Sequence, residues 1–193
     1  MTTGDVEVAS EVRRKRNIKC FVYVVVGVVL QTIIITVFAL TVMRIKSPKV
    51  RFGSVTVESL TVGTTPSPSF SMRLIAQVTV KNTNFGHFKF ENSTATFSYG
   101  GATVGEALIA KARARARETK RMNIMVDVTS SDLSGASSLG SDINSGTLRL
   151  SSQAKLSGKV HLFKIIKKKK SAEMSCTMSV HIATKTIQDL NCK

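Results

Sequence analysis

The sequence predicts an N-terminal membrane-spanning helix followed by an all-β antiparallel sandwich. Three observations predict it. Cys20 to Met43 form a run of 24 positions without a charged side chain. Beyond that run, apolar residues recur at every second position in short segments, the period of a half-buried strand. Clusters of Gly, Ser, Thr and Asn separate these segments at intervals that suit a sandwich.

The helix comes first in the chain. At about 1.5 Å rise per residue it covers roughly 36 Å, enough for a hydrocarbon core of about 30 Å. Val and Ile are mediocre helix formers in water, but lipid leaves the backbone no partner except itself. A soluble core helix fits poorly, because no face of the run is polar. A cleaved leader also fits poorly: its apolar part is usually about 7–15 residues, and Ala39-Leu40-Thr41 is a poor cleavage site. Arg13, Arg14, Lys15, Arg16 and Lys19 precede the run, while Arg44, Lys46, Lys49 and Arg51 follow it. The denser first cluster points to a cytosolic N-terminus and an external C-terminal domain. Ser47-Pro48-Lys49 ends the helix, since proline cannot continue it. The expected organisation is a disordered cytosolic tail (1–19), a transmembrane helix (20–43), a linker (44–53) and the sandwich (54–193).

Strand signals then follow in order. Val55 and Val57 alternate with polar neighbours, Leu60 and Val62 continue, and 64–69 form a loop. Leu74 to Val80 reads as a largely buried strand, and Asn82 to Gly86 as a turn. Phe88, Phe90, Ala95, Phe97 and Tyr99 mark a strand pair or one bulged strand, closed by Gly100-Gly101. Ala110 to Arg117 alternates Ala with Lys111, Arg113, Arg115 and Arg117; period two would smear both types around a helix, so a strand is expected. Met122, Ile124, Val126 and Val128 supply the next strand. Ser130 to Gly146 holds one short helix or helical turn, with Leu133, Leu139 and Ile143 as anchors. Leu148 and Leu150, Val160 and Leu162, Met174 to Ile182, and Ile187 to Leu190 complete the set.

Charge narrows the partners. The formal net charge is +16, from 28 Lys and Arg against 12 Asp and Glu. Such a field favours polyanions: acidic polysaccharide, anionic lipid or nucleic acid. An exported domain has no access to nucleic acid, and two Tyr without Trp offer little base stacking. Catalytic chemistry has no visible carrier. His87, His161 and His181 fall in unrelated segments, without a metalloprotease, Cys-x-x-Cys or nucleophile-elbow pattern. Gly100 to Gly105 has a loose phosphate-loop spacing, but Glu106 stands where lysine should follow. No enzyme activity, cofactor or metal is expected.

Val78-Thr79-Val80-Lys81-Asn82-Thr83-Asn84-Phe85-Gly86, then Tyr99-Gly100-Gly101, Leu148-Arg149-Leu150, Val160-His161-Leu162 and the tail Gln188-Asp189-Leu190-Asn191-Cys192 occur in a recognisable order. The chain resembles the plant late embryogenesis abundant group-2 proteins, in particular their membrane-anchored harpin-induced-like and non-race-specific-resistance-like branch. The resemblance implies a seven-stranded fibronectin-III-like sandwich, no enzymatic activity, and a link to stress and pathogen responses at the plasma membrane. Where the family often has Asn-Pro-Asn, this chain has Asn82-Thr83-Asn84; the turn is still expected, through left-handed Asn and Gly geometry. The Asn-Gly-Asp tripeptide linked to wall adhesion in some relatives is not found in the sequence.

Candidate sites follow. Asn92-Ser93-Thr94 is a glycosylation sequon, Asn92 being the acceptor. Cys20, at the membrane boundary, is a candidate for palmitoylation or for simple burial. Cys176 and Cys192 are equidistant from Thr184, so a hairpin with the three-residue loop Ala183-Thr184-Lys185 would set them opposite, within disulfide reach. Two free thiols are the alternative, and a one-residue slip would exclude the bond. Lys167, Lys168, Lys169 and Lys170 read as an exposed turn. With Lys111, Arg113, Arg115 and Arg117 they form a candidate anion-binding face. The expected function is a non-catalytic, single-pass plasma-membrane interaction module for stress or defence, binding a protein or an external polyanion. Structural protection of membranes or proteins during water loss is the alternative.

Overall fold

The computed structural model describes residues 3–42, 44–64, 67–131, 133, 138–162 and 166–193. The chain forms two compact units, Met1–Arg44 and Ile45–Lys193. The first unit is the helix α1, Thr3–Val42. The 1–19 segment, expected to be a disordered tail, is therefore helical from Thr3. Extending a helix adds one hydrogen bond per residue fixed and requires no new nucleus. Asn17–Thr41 is long and apolar enough to cross a membrane. Its threonine hydroxyls are satisfied locally: Thr32 Oγ1 donates to Val29 O at 2.8 Å, Thr36 Oγ1 to Thr32 O at 2.7 Å and Thr41 Oγ1 to Val37 O at 2.9 Å. Such bonds suit a hydrocarbon surrounding, where an orphaned hydroxyl would be costly.

Among the described residues, the second unit contains ten strands: β1 Lys49–Gly63, β2 Ser69–Lys81, β3 His87–Phe90, β4 Ser93–Tyr99, β5 Ala102–Ile109, β6 Ala112–Ala114, β7 Thr119–Thr129, β8 Thr147–Leu162, β9 Ile166–His181 and β10 Thr186–Cys192. A short helix, α2 (Leu139–Asn144), precedes β8. One sheet has the order β1-β2-β7. The other is organised on β8. β9 and then β10 lie on one side; on the other, β3-β6 pairs with the second part of β8 and β4-β5 with the first. Every pairing is antiparallel.

The sandwich expected from the alternation is present, with ten strands where about seven were expected. β5 had escaped sequence reading. Its buried residues, Val104, Ala107 and Ile109, are interrupted by a register shift against β4, which breaks the alternation. Leu148-Leu150 and Val160-Leu162, read as separate strands, belong to one 16-residue strand. The polar stretch between them still buries Ser152, Ala154 and Leu156. β1 starts at Lys49, inside the 44–53 stretch read as linker, because Val50 and Phe52 are buried core residues. The lysine run is not a turn either: Lys167 to Lys170 lie within β9.

Inward residues of both sheets make one core. Leu74, Ala76, Val78 and Val80 of β2 are fully buried, as are Phe97, Leu148 and Leu156 from the other sheet. Two aromatic pairs join the sheets: Phe52 with Phe97, centroids 5.8 Å apart, and Phe70 with Tyr99 at 5.9 Å. Each such pair contributes about 0.5–1.5 kcal/mol beyond its area burial. The Tyr99 hydroxyl donates to Asp142 Oδ2 at 2.7 Å, holding α2 against β4.

One end of the sandwich is organised by two buried asparagines. Asn82 Nδ2 donates to Gly86 O (2.8 Å), Arg115 O (2.8 Å) and Ala114 O (3.3 Å). Its Oδ1 accepts from the Asn84 N–H at 3.1 Å and from Asn84 Nδ2 at 3.0 Å. Asn84 holds the peptide groups of Lys46: Lys46 N–H donates to Asn84 Oδ1 at 2.7 Å, and Asn84 Nδ2 donates to Lys46 O at 2.8 Å. The expected left-handed geometry is absent, as none of residues 82–86 has a positive φ. Gly86 is required by space: a Cβ there would collide with the His161 carbonyl oxygen.

Asn82→Ala should orphan this cluster and lower unfolding free energy by about 3 kcal/mol. Asn82→Asp should be worse, because a carboxylate would face the carbonyls of Gly86, Ala114 and Arg115. Urea unfolding checks both, with Gln153→Ala as an exposed reference within about 0.5 kcal/mol of wild type.

Candidate functional site

The eight cations of the expected anion face do not share one surface. Only Arg113 of the Ala-Arg alternation lies in a strand, since β6 is three residues long. Glu118 ends it: its carboxylate accepts from the Arg115 N–H at 2.6 Å, and its own N–H donates to Arg115 O at 3.3 Å, closing a turn. Arg117 sits in that turn at φ +57° with its guanidinium 4.1 Å from the Phe85 ring centroid. Lys111 precedes β6; its N–H donates to Asn92 Oδ1 at 2.7 Å. In β9 the lysines alternate. Lys167 and Lys169 stand opposite His161 and Lys159, whereas Lys168 and Lys170 oppose Val160 and Gly158.

Strand register builds a different constellation. Lys169 of β9 pairs with Lys159 of β8, Lys159 with Lys89 of β3, and Lys89 with Arg113 of β6. Four exposed cations therefore form a row across four strands, about 15 Å long at the usual strand spacing. Two residues along, Lys167 pairs with His161 and His161 with His87. The two imidazoles stack with centroids 4.9 Å apart and an interplanar angle of 10°. Beside the row is an open hollow of about 430 Å³ lined by Glu91, Ser157, Gly158, Lys159, Lys169, Lys170 and Ser171.

Like charges placed opposite one another weaken a sheet. The same strands avoid this nearby, where Lys155 Nζ meets Glu173 Oε1 at 2.8 Å. Among the described residues the ion pairs are this one and Arg73–Asp127, and neither includes a member of the row. Both histidines titrate below the ordinary imidazole range. Desolvation is the leading cause for each, followed by His161, Arg113 and Lys89 for His87, and by Lys89, Lys167 and Lys159 for His161. Sequence reading missed the row because Lys89, Arg113, Lys159 and Lys169 come from four separate segments. Only the long-range register aligns them.

Cys176 and Cys192 are directly opposite, with sulfurs 2.04 Å apart and Cα atoms 4.1 Å apart. Ser175 and Lys193 exchange both backbone hydrogen bonds, making the cysteines the closer non-hydrogen-bonded pair. The route to this alignment differs from the expected three-residue loop. The turn is Ile182–Lys185, and it pairs Thr186 with His181, a register that would miss Cys176 by one residue. A bulge between Gln188 and Asn191 restores it, with Asp189 at φ +53°. Asn92 is exposed just before β4, and Cys20 is a free exposed cysteine on α1. Among the described residues, no cluster of three or more His, Cys, Asp or Glu could hold a metal ion.

The fold defines a two-sheet antiparallel sandwich protein behind an apolar N-terminal helix. Residues 77–178 match the family described as Late embryogenesis abundant protein. The chain is 32% identical over 186 residues to the Late embryogenesis abundant protein At1g64065 of Arabidopsis thaliana, covering 91% of this chain and 83% of that protein. It belongs to the late embryogenesis abundant family. Membership suggests a stress-related role, and proteins of the family are generally non-enzymatic. The solution structure of AT1g01470 from Arabidopsis thaliana matches with TM-score 0.48 and 17% identity over 76% of this chain and 88% of that chain. A crystal structure of a protein from Archaeoglobus fulgidus matches with TM-score 0.35 and 12% identity, over 65% and 94% respectively.

Two outcomes follow from the histidines and the bulge. The unfolded chain takes up imidazole protons before the folded one, so stability falls as pH drops from about 7.5 through the ordinary range near 6.5. Thermal unfolding of the His87→Gln, His161→Gln double variant should show a smaller fall than wild type. Asp189→Val should cost about 1–3 kcal/mol and Asp189→Gly much less, since valine resists positive φ. Deleting Asp189 removes the bulge and keeps the cysteines opposite, so thiol titration should still find Cys20 alone.

Proposed function

We propose that this protein is a single-pass membrane protein of the harpin-induced-like branch. Its sandwich works on the extracellular side of the plasma membrane as a non-catalytic interaction module in stress or defence responses. The observation that carries the reading is Asn17–Thr41, apolar on every side and exposed along its length, with its threonine hydroxyls bonded within the helix. A helix of this kind has no reason to exist in water and a direct one in lipid. Arg13, Arg14, Lys15, Arg16 and Lys19 hold the N-terminal side in the cytosol. Cys20, where that cluster meets the apolar run, is the proposed palmitoylation position.

The sandwich then enters the secretory lumen, which accounts for two further features. Asn92 lies exposed in a sequon, open to a glycan. Cys176 and Cys192 are placed for a bond that an oxidising compartment maintains. A protectant against water loss would spread its work over a broad hydrophilic surface. The four-cation row instead lines up one cation per strand across four adjacent strands, which favours a module with a partner.

Sealed microsomes test the topology. External protease should leave a protected C-terminal fragment whose mobility shifts on glycosidase treatment, and Asn92→Gln should abolish the shift. Digestion of the sandwich from the cytosolic side would sink the reading.

A further inference from the structure

We propose that the outer face of β9, β8, β3 and β6 is a docking strip for a linear acidic polysaccharide, and that His87 and His161 tighten its grip on acidification. This names a partner for the module proposed above and rests on that reading. Lys169, Lys159, Lys89 and Arg113 present one cation per strand, in line, at intervals close to 4.8 Å. A polyuronate offers the complementary pattern, one carboxylate per sugar ring along an extended chain. The row has a stability cost, because like charges oppose each other across three strand junctions. A bound polyanion removes that repulsion.

The surroundings separate this partner from other polyanions. None of the four cations of the row carries an aromatic ring, Tyr99 is buried, and the half-exposed Phe85 ring already has the Arg117 guanidinium 4.1 Å from its centroid, which leaves little platform for stacking nucleic-acid bases. Neighbouring outward positions on β8 and β9 are Ser157 and Ser171, without the apolar side chains that interfacial membrane docking uses.

The histidines supply the pH dependence. They stack at 4.9 Å in the row adjoining the cations. The charged groups around them are Lys89 of β3, Lys159 of β8, Lys167 of β9 and Arg113 of β6. Glu91 lies beyond Lys89, on the side away from His87. In the free protein, desolvation first and then these cations keep the imidazoles neutral to lower pH. A polyanion laid over the strip reverses the local field and favours protonation. By linkage, protonation then favours the polyanion.

The test uses the full chain in phosphatidylcholine nanodiscs, with polygalacturonate as the probe, at about pH 7.5 and about pH 5.5, where carboxyls with a pKa of about 3.5 stay ionised. Wild type should bind about fivefold more tightly at the lower pH, the scale of one added charge contact in water. Changing Lys89, Arg113, Lys159 and Lys169 to Gln should weaken binding about tenfold or more. Changing Lys49, Arg51, Lys81 and Arg121 to Gln removes the same charge from the other sheet and should cost far less. The His87→Gln, His161→Gln variant should keep its affinity at the higher pH and lose the gain. Thermal unfolding verifies that each variant folds, and Lys159→Gln alone, at the centre of the row, should still cost about threefold. Equal losses in the two charge variants would overturn the proposal, as would a pH gain that survives without the histidines. Tighter binding to phosphatidylserine vesicles or oligothymidylate than to polygalacturonate would reject the polysaccharide. The microsome result is independent: a lumenal sandwich that ignores polygalacturonate sinks this inference alone.

Discussion

The amide network of Asn82 and Asn84 is the constraint on which the sandwich most depends. A buried side-chain amide must satisfy two donors and an oxygen, and it can do so only if several backbone segments arrive together. Asn82 requires Gly86, Ala114 and Arg115 to present their carbonyls at one point. Asn84 requires Lys46, from the segment before β1, to present both sides of its peptide bonding. Three separated parts of the chain are thereby fixed where β2 leaves one sheet and β3 enters the other. Apolar packing alone would tolerate slippage at this end, whereas unsatisfied amides would not.

Much of the fold was legible because period-two alternation reports burial directly. Leu74 to Val80 and Met122 to Val128 behave as that rule requires. Reading failed where backbone geometry overrode pattern. Ala110 to Arg117 alternates well, yet Glu118 captures the Arg115 N–H and turns the chain after Ala114. Asn82-Thr83-Asn84 looked like a turn because Asn and Gly favour turns, but its importance lies in burial and bonding. The middle residue, Thr83, makes none of those side-chain bonds.

The candidate surface was legible only as chemistry. A basic composition foretold cations without saying which would meet. Lys167 to Lys170 form the conspicuous run, but alternation within β9 sends its members to opposite faces, so only half of it can join any one surface. The cysteine pairing shows the opposite case. Its alignment was anticipated through a simple hairpin, and the structure reaches it through a longer turn and a compensating bulge. Two register errors of opposite sense cancel, and no propensity argument would have seen either.

The clamp between Lys46 and Asn84 has a mechanical meaning. On the function proposed above, a sandwich anchored through its N-terminal side and bound to a polymer would be a link in a loaded chain. Tension arriving from the α1 side meets the amide bonds at Lys46 before it reaches the β1–β2 ladder. Under such a load, those bonds would act as a stop that keeps force from peeling β1 at its first residue. Asn84 is in turn braced by Asn82 and, through its carbonyl, by the Arg117 N–H, so load is shared with the β6–β7 turn and with β3. The asparagine pair is thus where the sandwich would resist being pulled apart.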